Sequence, residues 1–390
     1  MIAIALALQS AGHKVQLVGP PENAAWAQGL GCPYLGAGRD VSAFITTFDR
    51  PVSLYSGLSF VRFVMQELAW QLEHLPQIIA SADLVIGSSL VFGLSSTAEV
   101  QGIPYRYIAF TPQVLPSAHH PFLPIPIQTL PPLLNRLTWT MAGILDRCSF
   151  ALLINRYRKR QGLAPVSSAW DHILGDHAIV ASDKEIAAVP PDVQKTVIQT
   201  GYPHLKLPEP PNPDLEKFLE TGKKPVYAGF GSMPPRGQEN TIPLVVRAVK
   251  SLGRRVIVKH PGKTSAKYPA DKDLFFIGDY PHQALFPRIK AVIHHGGAGT
   301  AATAAAAGVP QVIVPHILDQ HYHGRRIFLS GLGPAPIPLP QLTQNRLSQA
   351  LAHCLTNERI LQAARNTGCA IDPVHRLETL VKALLEPANT

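Results

Sequence analysis

The stretch His294-His295-Gly296-Gly297-Ala298-Gly299-Thr300 holds the most legible chemistry in the chain. It follows the apolar run Ala291-Val292-Ile293, so the order reads as a buried strand, a glycine turn and the start of an alanine-rich helix. Three glycines let the backbone come close to a ligand, because no Cβ intervenes and positive φ is allowed. The first N–H groups of a helix have no partner within it, and the helix dipole makes that end positive. Such a turn suits an anion, and a phosphate above all. The two imidazoles add donors, and a charge where a bound anion raises their pKa. The same residues also fit a plain glycine turn that packs an alanine-rich helix tightly on a strand.

Three further segments with binding chemistry follow apolar runs in the same half of the chain: Gly231-Ser232, Gly278-Asp279-Tyr280-Pro281-His282-Gln283, and His316-Ile317-Leu318-Asp319-Gln320. In a doubly wound parallel sheet, ligands bind at the carboxyl ends of strands near the point where the order reverses. Four such loops, offering phosphate donors and then an Asp-Gln pair suited to hydroxyls, point to a phosphorylated sugar.

The elements that must position these loops are strands alternating with helical segments, the pattern of a parallel α/β sheet. In the first half, strands are expected near residues 15–18, 83–87 and 105–110, and helices over 22–31, 60–74 and 91–101. In the second half, strands are expected at 225–230, 255–259, 274–277, 291–293 and 312–314, with helices over 240–251, 345–355 and 358–365. Residues 112–132 hold seven prolines among apolar residues, which excludes regular structure there and suits a substrate loop, a patch touching a membrane, or a rigid structural loop. A second proline cluster at 203–213 marks the linker. The expected division is a first domain over 1–205, a linker over 206–221, a second domain over 222–375, and a carboxy-terminal helix and tail over 376–390. No internal repeat is visible.

Composition bounds the function classes. At 390 residues, 46% hydrophobic and 16% charged, the chain has room for two globular domains. A net charge of +9 favours acidic ligands, but the charge is diffuse. Its densest runs, residues 156–160 and Arg325-Arg326, enclose one aromatic, Tyr157, and so argue against nucleic acid as a partner. Cys32, Cys148, Cys354 and Cys369 lie far apart without ligand spacing, which suits free thiols in a reducing compartment. The 16 histidines follow no zinc pattern, so no metal is expected. No uninterrupted apolar stretch reaches transmembrane length, and residues 1–8 read as a core helix rather than a leader. A cytoplasmic protein is expected, with contact at the inner face of the membrane left open.

The phrases Gly229-Phe230-Gly231-Ser232-Met233, His294 through Thr300, and Asp319-Gln320 occur in an order that resembles the nucleotide-sugar-binding signature of the UDP-glycosyltransferase family, especially its bacterial antibiotic and sterol glycosyltransferases. The likeness runs along essentially the whole chain and is weakest at 41–76 and 112–132. It implies two doubly wound, Rossmann-like domains facing a cleft, the glycosyltransferase B fold. It also implies an inverting, metal-independent transfer of a hexose, glucose first, from a UDP-sugar to a hydroxyl of a lipophilic acceptor, with no cofactor and a monomer or weak dimer as the working unit. By resemblance, Ser232 and His295 with Gly297, Ala298, Gly299 and Thr300 hold the diphosphate. Tyr280 and His282 lie at the nucleotide base, and Asp319 and Gln320 bind sugar hydroxyls. Thr303 stands where plant members carry a ribose-binding glutamate, which leaves UDP against TDP open. Acceptor candidates in the first domain are Ser88, Ser89, Phe92, Phe110, Thr111, Ser117, His119 and Phe122.

The resemblance places Met1 inside the family's first helix, so the first strand and the loop bearing the catalytic base are expected to be absent. In the usual order that strand is central, and its loss unpairs buried backbone groups at about 1–3 kcal/mol each. A start at an internal methionine of a longer product is the expectation, and His13, at the far end of the helix, does not replace the base. Two other functions stay open: a nucleotide-sugar-binding protein or partner subunit with impaired catalysis, and an enzyme resembling a nucleotide-sugar 2-epimerase.

Overall fold

Short apolar runs closed by glycine or proline form the strands, which are largely buried because helices cover both faces of a parallel sheet. The structure, a computed structural model, describes residues 1–39, 54–231, 241–260 and 271–386, without the side chains of residues 54–58 and 60. In the first domain the strands are β1 (Leu17–Gly19), β2 (Tyr34–Gly36), β3 (Val85–Ser88), β4 (Tyr105–Ala109), β5 (His177–Val180) and β6 (Thr196–Gln199). β3-β4-β5-β6 form one parallel sheet, while β1 and β2 pair in a separate two-stranded parallel sheet. The helix Ile2–Ser10 joins the two. Ile4 and Leu8 pack with Ile108 and Ile179 of the larger sheet, and Ile2 and Ala5 pack with Ala27 and Cys32 beside the smaller one. An almost uniformly apolar helix suits that position, with apolar neighbours on two sides.

The second domain contains β7 (Val226–Gly229), β8 (Val256–Lys259), β9 (Leu274–Ile277), β10 (Ala291–His294) and β11 (Gln311–Ile313). They form one parallel sheet in the order β11-β10-β7-β8-β9. Side chains alternate faces: Val226, Ala228, Val256, Val258, Ala291 and Ile293 belong to one core, and Tyr227, Ile257 and Val292 to the core on the other side. The order reverses between β7 and β10, where His294 lies opposite Gly229. The described residues of the four segments singled out by sequence lie at or near this carboxyl edge.

Several expectations need correction. The expected linker, 206–221, contains the helix Pro213–Glu220, capped by the Asn212 side chain, with Leu215 fully buried in the second domain's core. Its Pro213 occupies the first turn, where a missing N–H costs nothing. At the other end, the helix Pro373–Leu385 returns to the first domain, where Leu380, Ala383 and Leu384 pack with Ile4 and Leu8.

Within the helical run Pro132–Arg160, one 18-residue window has a mean hydropathy of 1.3, long and apolar enough by composition to cross a membrane, but Asp146 and Arg147 interrupt the run, so it is not an uninterrupted apolar stretch. The run is two helices, Pro132–Cys148 and Phe150–Arg160, meeting at Ser149. Buried Asp146 accepts from Ser168 Oγ at 2.7 Å, and buried Arg158 donates to Glu99 at 2.6 Å, so one side is anchored to the domain along its length. Arg158 is thereby removed from the basic run at 156–160. The four cysteines are free, Cys32 and Cys354 buried, Cys148 and Cys369 exposed.

Candidate functional site

At the point where the strand order reverses, Phe230-Gly231 leaves β7 beside His295-Gly296-Gly297 leaving β10. Both Gly231 and Gly296 have positive φ, +82° and +95°. A Cβ on Gly231 would lie 3.1 Å from the His295 ring, and one on Gly297 2.6 Å from its Nε2. The glycines are therefore what lets the imidazole lie flat against the turn. The helix Ala298–Ala306 starts at Gly297 with no side-chain cap. Ala301 N bonds Gly297 O, and the N–H groups of Ala298, Gly299 and Thr300, in the first turn, are the ones left to a ligand. Ser232, the remaining expected diphosphate residue, lies outside the described residues.

Buried imidazole nitrogens without partners gather around this edge: Nδ1 of His260 after β8, Nδ1 of His295 after β10, Nε2 of His316 after β11, and Nε2 of His323. His295 and His316 have ring centroids 6.3 Å apart, and His316 stacks on Phe230 at 5.7 Å. His323 Nε2 is 3.5 Å from Asp319 Oδ2, a separation at the outer limit for a hydrogen bond. Burial lowers the pKa of His295, with Asp319 pulling the other way, and lowers His316 to about 4. Both rings are thus neutral donor–acceptors near pH 7 rather than cations. His294, fully buried and lowered to about 3 by burial, bonds Gln311 through Nε2 and accepts from Gly296 N through Nδ1, so it shapes the turn from behind. Among the described residues, no group of three His, Cys, Asp or Glu side chains is placed to hold a metal ion.

The remaining donor-side residues are placed unevenly. Asp319 stands at the N-cap position of the helix Gln320–Leu329, yet its side chain makes no capping bond, and the carboxylate is left half-exposed toward His323. Gln320 is buried, and its carboxamide oxygen accepts from the N–H groups of His316 and Ile317, so that oxygen braces the loop and is not available to a sugar. Leu318 has φ +49°, a strained conformation for a branched residue, directly before Asp319. Tyr280 hydrogen-bonds Glu209. His282 gives its Nε2 to the Tyr227 hydroxyl at 2.8 Å and stacks on Phe286 at 4.5 Å, so the ring is part of the domain core. Thr303 Oγ1 donates to Gly299 O at 2.8 Å.

The first domain engages four of the eight acceptor candidates in its own packing and hydrogen bonds. Phe92 is buried and stacked on Phe150, and Phe122 packs edge-on against Trp139 and Trp170, so neither faces a ligand. Thr111 caps the turn Pro112–Val114 by accepting from Gln113 N. Ser117 donates to Asp192 at 2.6 Å and accepts from His119 N. Three places keep free chemistry. Ser88 ends β3 with a buried, unpartnered hydroxyl, followed by Ser89 at φ +59°. His119 is exposed, 3.9 Å from Asp192. Phe110 lines a small pocket between the domains with Tyr202, Asp183, Ala298, Ala301 and His323.

That pocket, together with residues sequence reasoning passed over, places the two halves face to face. A Cβ on Gly299 would lie 2.7 Å from the Tyr202 hydroxyl, so the first domain presses on the opening turn of Ala298–Ala306. His120, from the proline-rich loop, sets its ring edge-on to Tyr322 at 5.4 Å, two residues beyond Gln320. The loop therefore reaches the second domain beside the Asp-Gln pair. Residue type gave no signal for Tyr202, His120 or Tyr322, because their roles come from contacts between distant segments.

Known proteins resemble the chain along nearly its whole length. Residues 244–369 match the family model for the erythromycin biosynthesis protein CIII-like C-terminal domain. The chain is 32% identical over 382 residues to the glycosyltransferase GtfE of Amycolatopsis orientalis, covering 95% of this chain and 90% of that protein. It is 32% identical over 376 residues to the vancomycin aglycone glucosyltransferase of the same organism, covering 94% and 89%. It is 29% identical to the sterol 3-beta-glucosyltransferase UGT80B1 of Arabidopsis thaliana, over 96% of this chain and 65% of that one. Among solved structures, the calicheamicin glycosyltransferase CalG4 superposes with a TM-score of 0.72 at 16% identity, over 98% of this chain and 94% of the other. The fold is that of the B-type glycosyltransferases, and the chain belongs to the UDP-glycosyltransferase family, as a hexosyltransferase.

Proposed function

We propose that the chain transfers a hexose, glucose first, from a UDP-sugar to a hydroxyl of a lipophilic acceptor, with inversion and without a metal. The observation that carries this is the gathering of buried, unpartnered imidazole nitrogens around an uncapped helix start at the reversal of the strand order. A buried polar group left without a partner costs about 1–3 kcal/mol, so these nitrogens favour any ligand that supplies partners. A diphosphate does, with oxygens for the N–H groups of Ala298 to Thr300, and for His295 Nδ1 once the bound anion draws a proton onto it, the other ring nitrogen being engaged with the Gly229 carbonyl. In the reaction the acceptor hydroxyl attacks the anomeric carbon, the bond from that carbon to the diphosphate oxygen breaks, and the hydroxyl proton passes to water. Charge develops on the departing diphosphate, where fixed donors and the helix dipole stabilise it without reorganising. Asp319 accepts from sugar hydroxyls, and the amide group of Gln320 assists from the braced loop. Ser88 and His119 approach from the first domain, which receives the acceptor.

The test offers labelled UDP-glucose and TDP-glucose with a panel of sterols and natural-product aglycones, in EDTA and in magnesium. Transfer from UDP-glucose with inverted anomeric configuration, at equal rates in the two buffers, is the expected result. A strict requirement for magnesium overturns the metal-independent reading, and transfer from TDP-glucose alone overturns the choice of base. Nucleotide binding without transfer to any acceptor favours a binding protein or partner subunit instead.

A further inference from the structure

The helix Pro132–Cys148 carries an apolar face that none of the described residues covers. Leu133, Leu134, Leu137, Met141, Ile144 and Leu145 are all exposed, Leu133 by 77% and Leu145 by 67%. They fall at helical spacing on one side, while Asn135, Trp139 and Asp146 on the opposite side hold the helix to its domain. Globular proteins rarely leave a continuous aliphatic face of this kind to water.

The charges beside it are of one sign. Arg136 and Arg147 flank the apolar stripe, and Arg156, Lys159 and Arg160 are exposed on the helix that continues it. Asp146 is the only acidic residue between positions 121 and 165, and it is buried and bonded to Ser168. An exposed aliphatic stripe edged by cations, with no exposed carboxylate among them, is complementary to the surface of an anionic bilayer.

We propose that this face docks the protein on anionic lipid, with the helix lying in the interface and the aliphatic stripe entering the acyl boundary. The anchored inner side excludes crossing, because Asp146 and Asn135 are bonded into the domain. Docking also sets the proline-rich loop at the membrane: Trp139 on the inner side donates to His120 O at 3.2 Å, so the loop bearing His119 and His120 lies directly behind the docked helix. Docking of this kind leaves the donor site free, since it uses a surface that the donor site does not.

The test is sedimentation of the full chain with vesicles of phosphatidylcholine, with and without phosphatidylglycerol. Binding to the anionic vesicles, at least about tenfold weaker without phosphatidylglycerol and weakened by salt, is expected. Leu137→Glu with Ile144→Glu should abolish it, while thermal melting and UDP binding stay at parental values. Arg136→Gln and Arg147→Gln should each weaken it about fivefold. A parent chain that stays in the supernatant, or a glutamate variant that still binds, overturns the proposal. So does light scattering that shows a dimer dispersed by the same glutamates when no vesicle binding is found, which would make the face a contact between two copies of the chain.

Discussion

Replacing His295 with alanine should raise the dissociation constant for UDP by roughly 10- to 100-fold and leave the melting temperature within a few degrees of the parent. A hydrogen bond to a charged group contributes about 1.5–3 kcal/mol, and each 1.4 kcal/mol is about tenfold in affinity. The stability half follows from the same atoms. His295 Nδ1 is buried without a partner while the other ring nitrogen bonds the Gly229 carbonyl, so deleting the ring removes an unsatisfied group together with that bond and its packing, and the effects oppose each other. Gly296→Ala separates a ligand contact from a scaffold effect. There φ is +95°, and a Cβ would lie 2.9 Å from the Gln320 carbonyl oxygen and from Ile313 Cγ2. A left-handed conformation costs a residue with a Cβ about 1–2 kcal/mol, and the clash adds to it, so this variant should lose both stability and UDP binding. Calorimetric titration with UDP and a thermal melt on each variant give the result. Unchanged UDP affinity in His295→Ala would mean that the diphosphate lies elsewhere.

The two variants also mark where the sequence could be read and where it could not. Strand β9 runs from Leu274 to Ile277, as the pattern indicates, because an apolar run closed by glycine in a parallel sheet has few other outcomes. The turn after β10 is legible for the same reason: glycine spacing acts on the chain next to it. Proline misled in two places. Pro132 and Pro213 open helices, yet both sit in proline clusters that read as loop or linker, since proline starts a helix as readily as it breaks one.

Four of the eight acceptor candidates turn out to be engaged within the first domain itself. Residue type at a strand end does not reveal whether a polar group is already occupied. Ser117 is held by Asp192, 75 residues away, and Gln320 spends its oxygen on its own loop. His120 and Tyr322 meet only because two domains meet, and no local pattern encodes that. The unpartnered nitrogens that carry the functional reading likewise exist only in three dimensions.

Acid should destabilise the protein well above the range where carboxylates titrate. Burial lowers His294 to about 3, and lowers His120, His204, His282 and His316 to about 4. In the unfolded chain each titrates near 6.5, so between about pH 6.5 and 4 the unfolded state binds protons that the folded state refuses. The stability from these five groups is therefore fully present above pH 6.5 and falls as the pH drops toward 4. Asp183 works in the opposite direction. Burial raises its carboxyl to about 6, so the folded state gains a proton there before the unfolded one does, and stability rises as the pH falls from 6 toward 3.8. Five groups against one fix the net sign. A tenfold change in proton affinity corresponds to about 1.36 kcal/mol, so the loss reaches several kcal/mol by about pH 5, a large part of what holds a domain together. Thermal melts at about pH 7.5, 6 and 5 should show a progressive fall, and His204→Gln, which lies outside the donor site, should make the fall shallower. A melting temperature that stays level over that range would show that water reaches these rings. Buried, neutral imidazoles, His316 at the site edge among them, thus confine the folded chain to neutral and alkaline conditions. Saturating UDP should extend that range toward acid, because a ligand that binds only the folded state stabilises it by about 2.7 kcal/mol at a hundred times its dissociation constant.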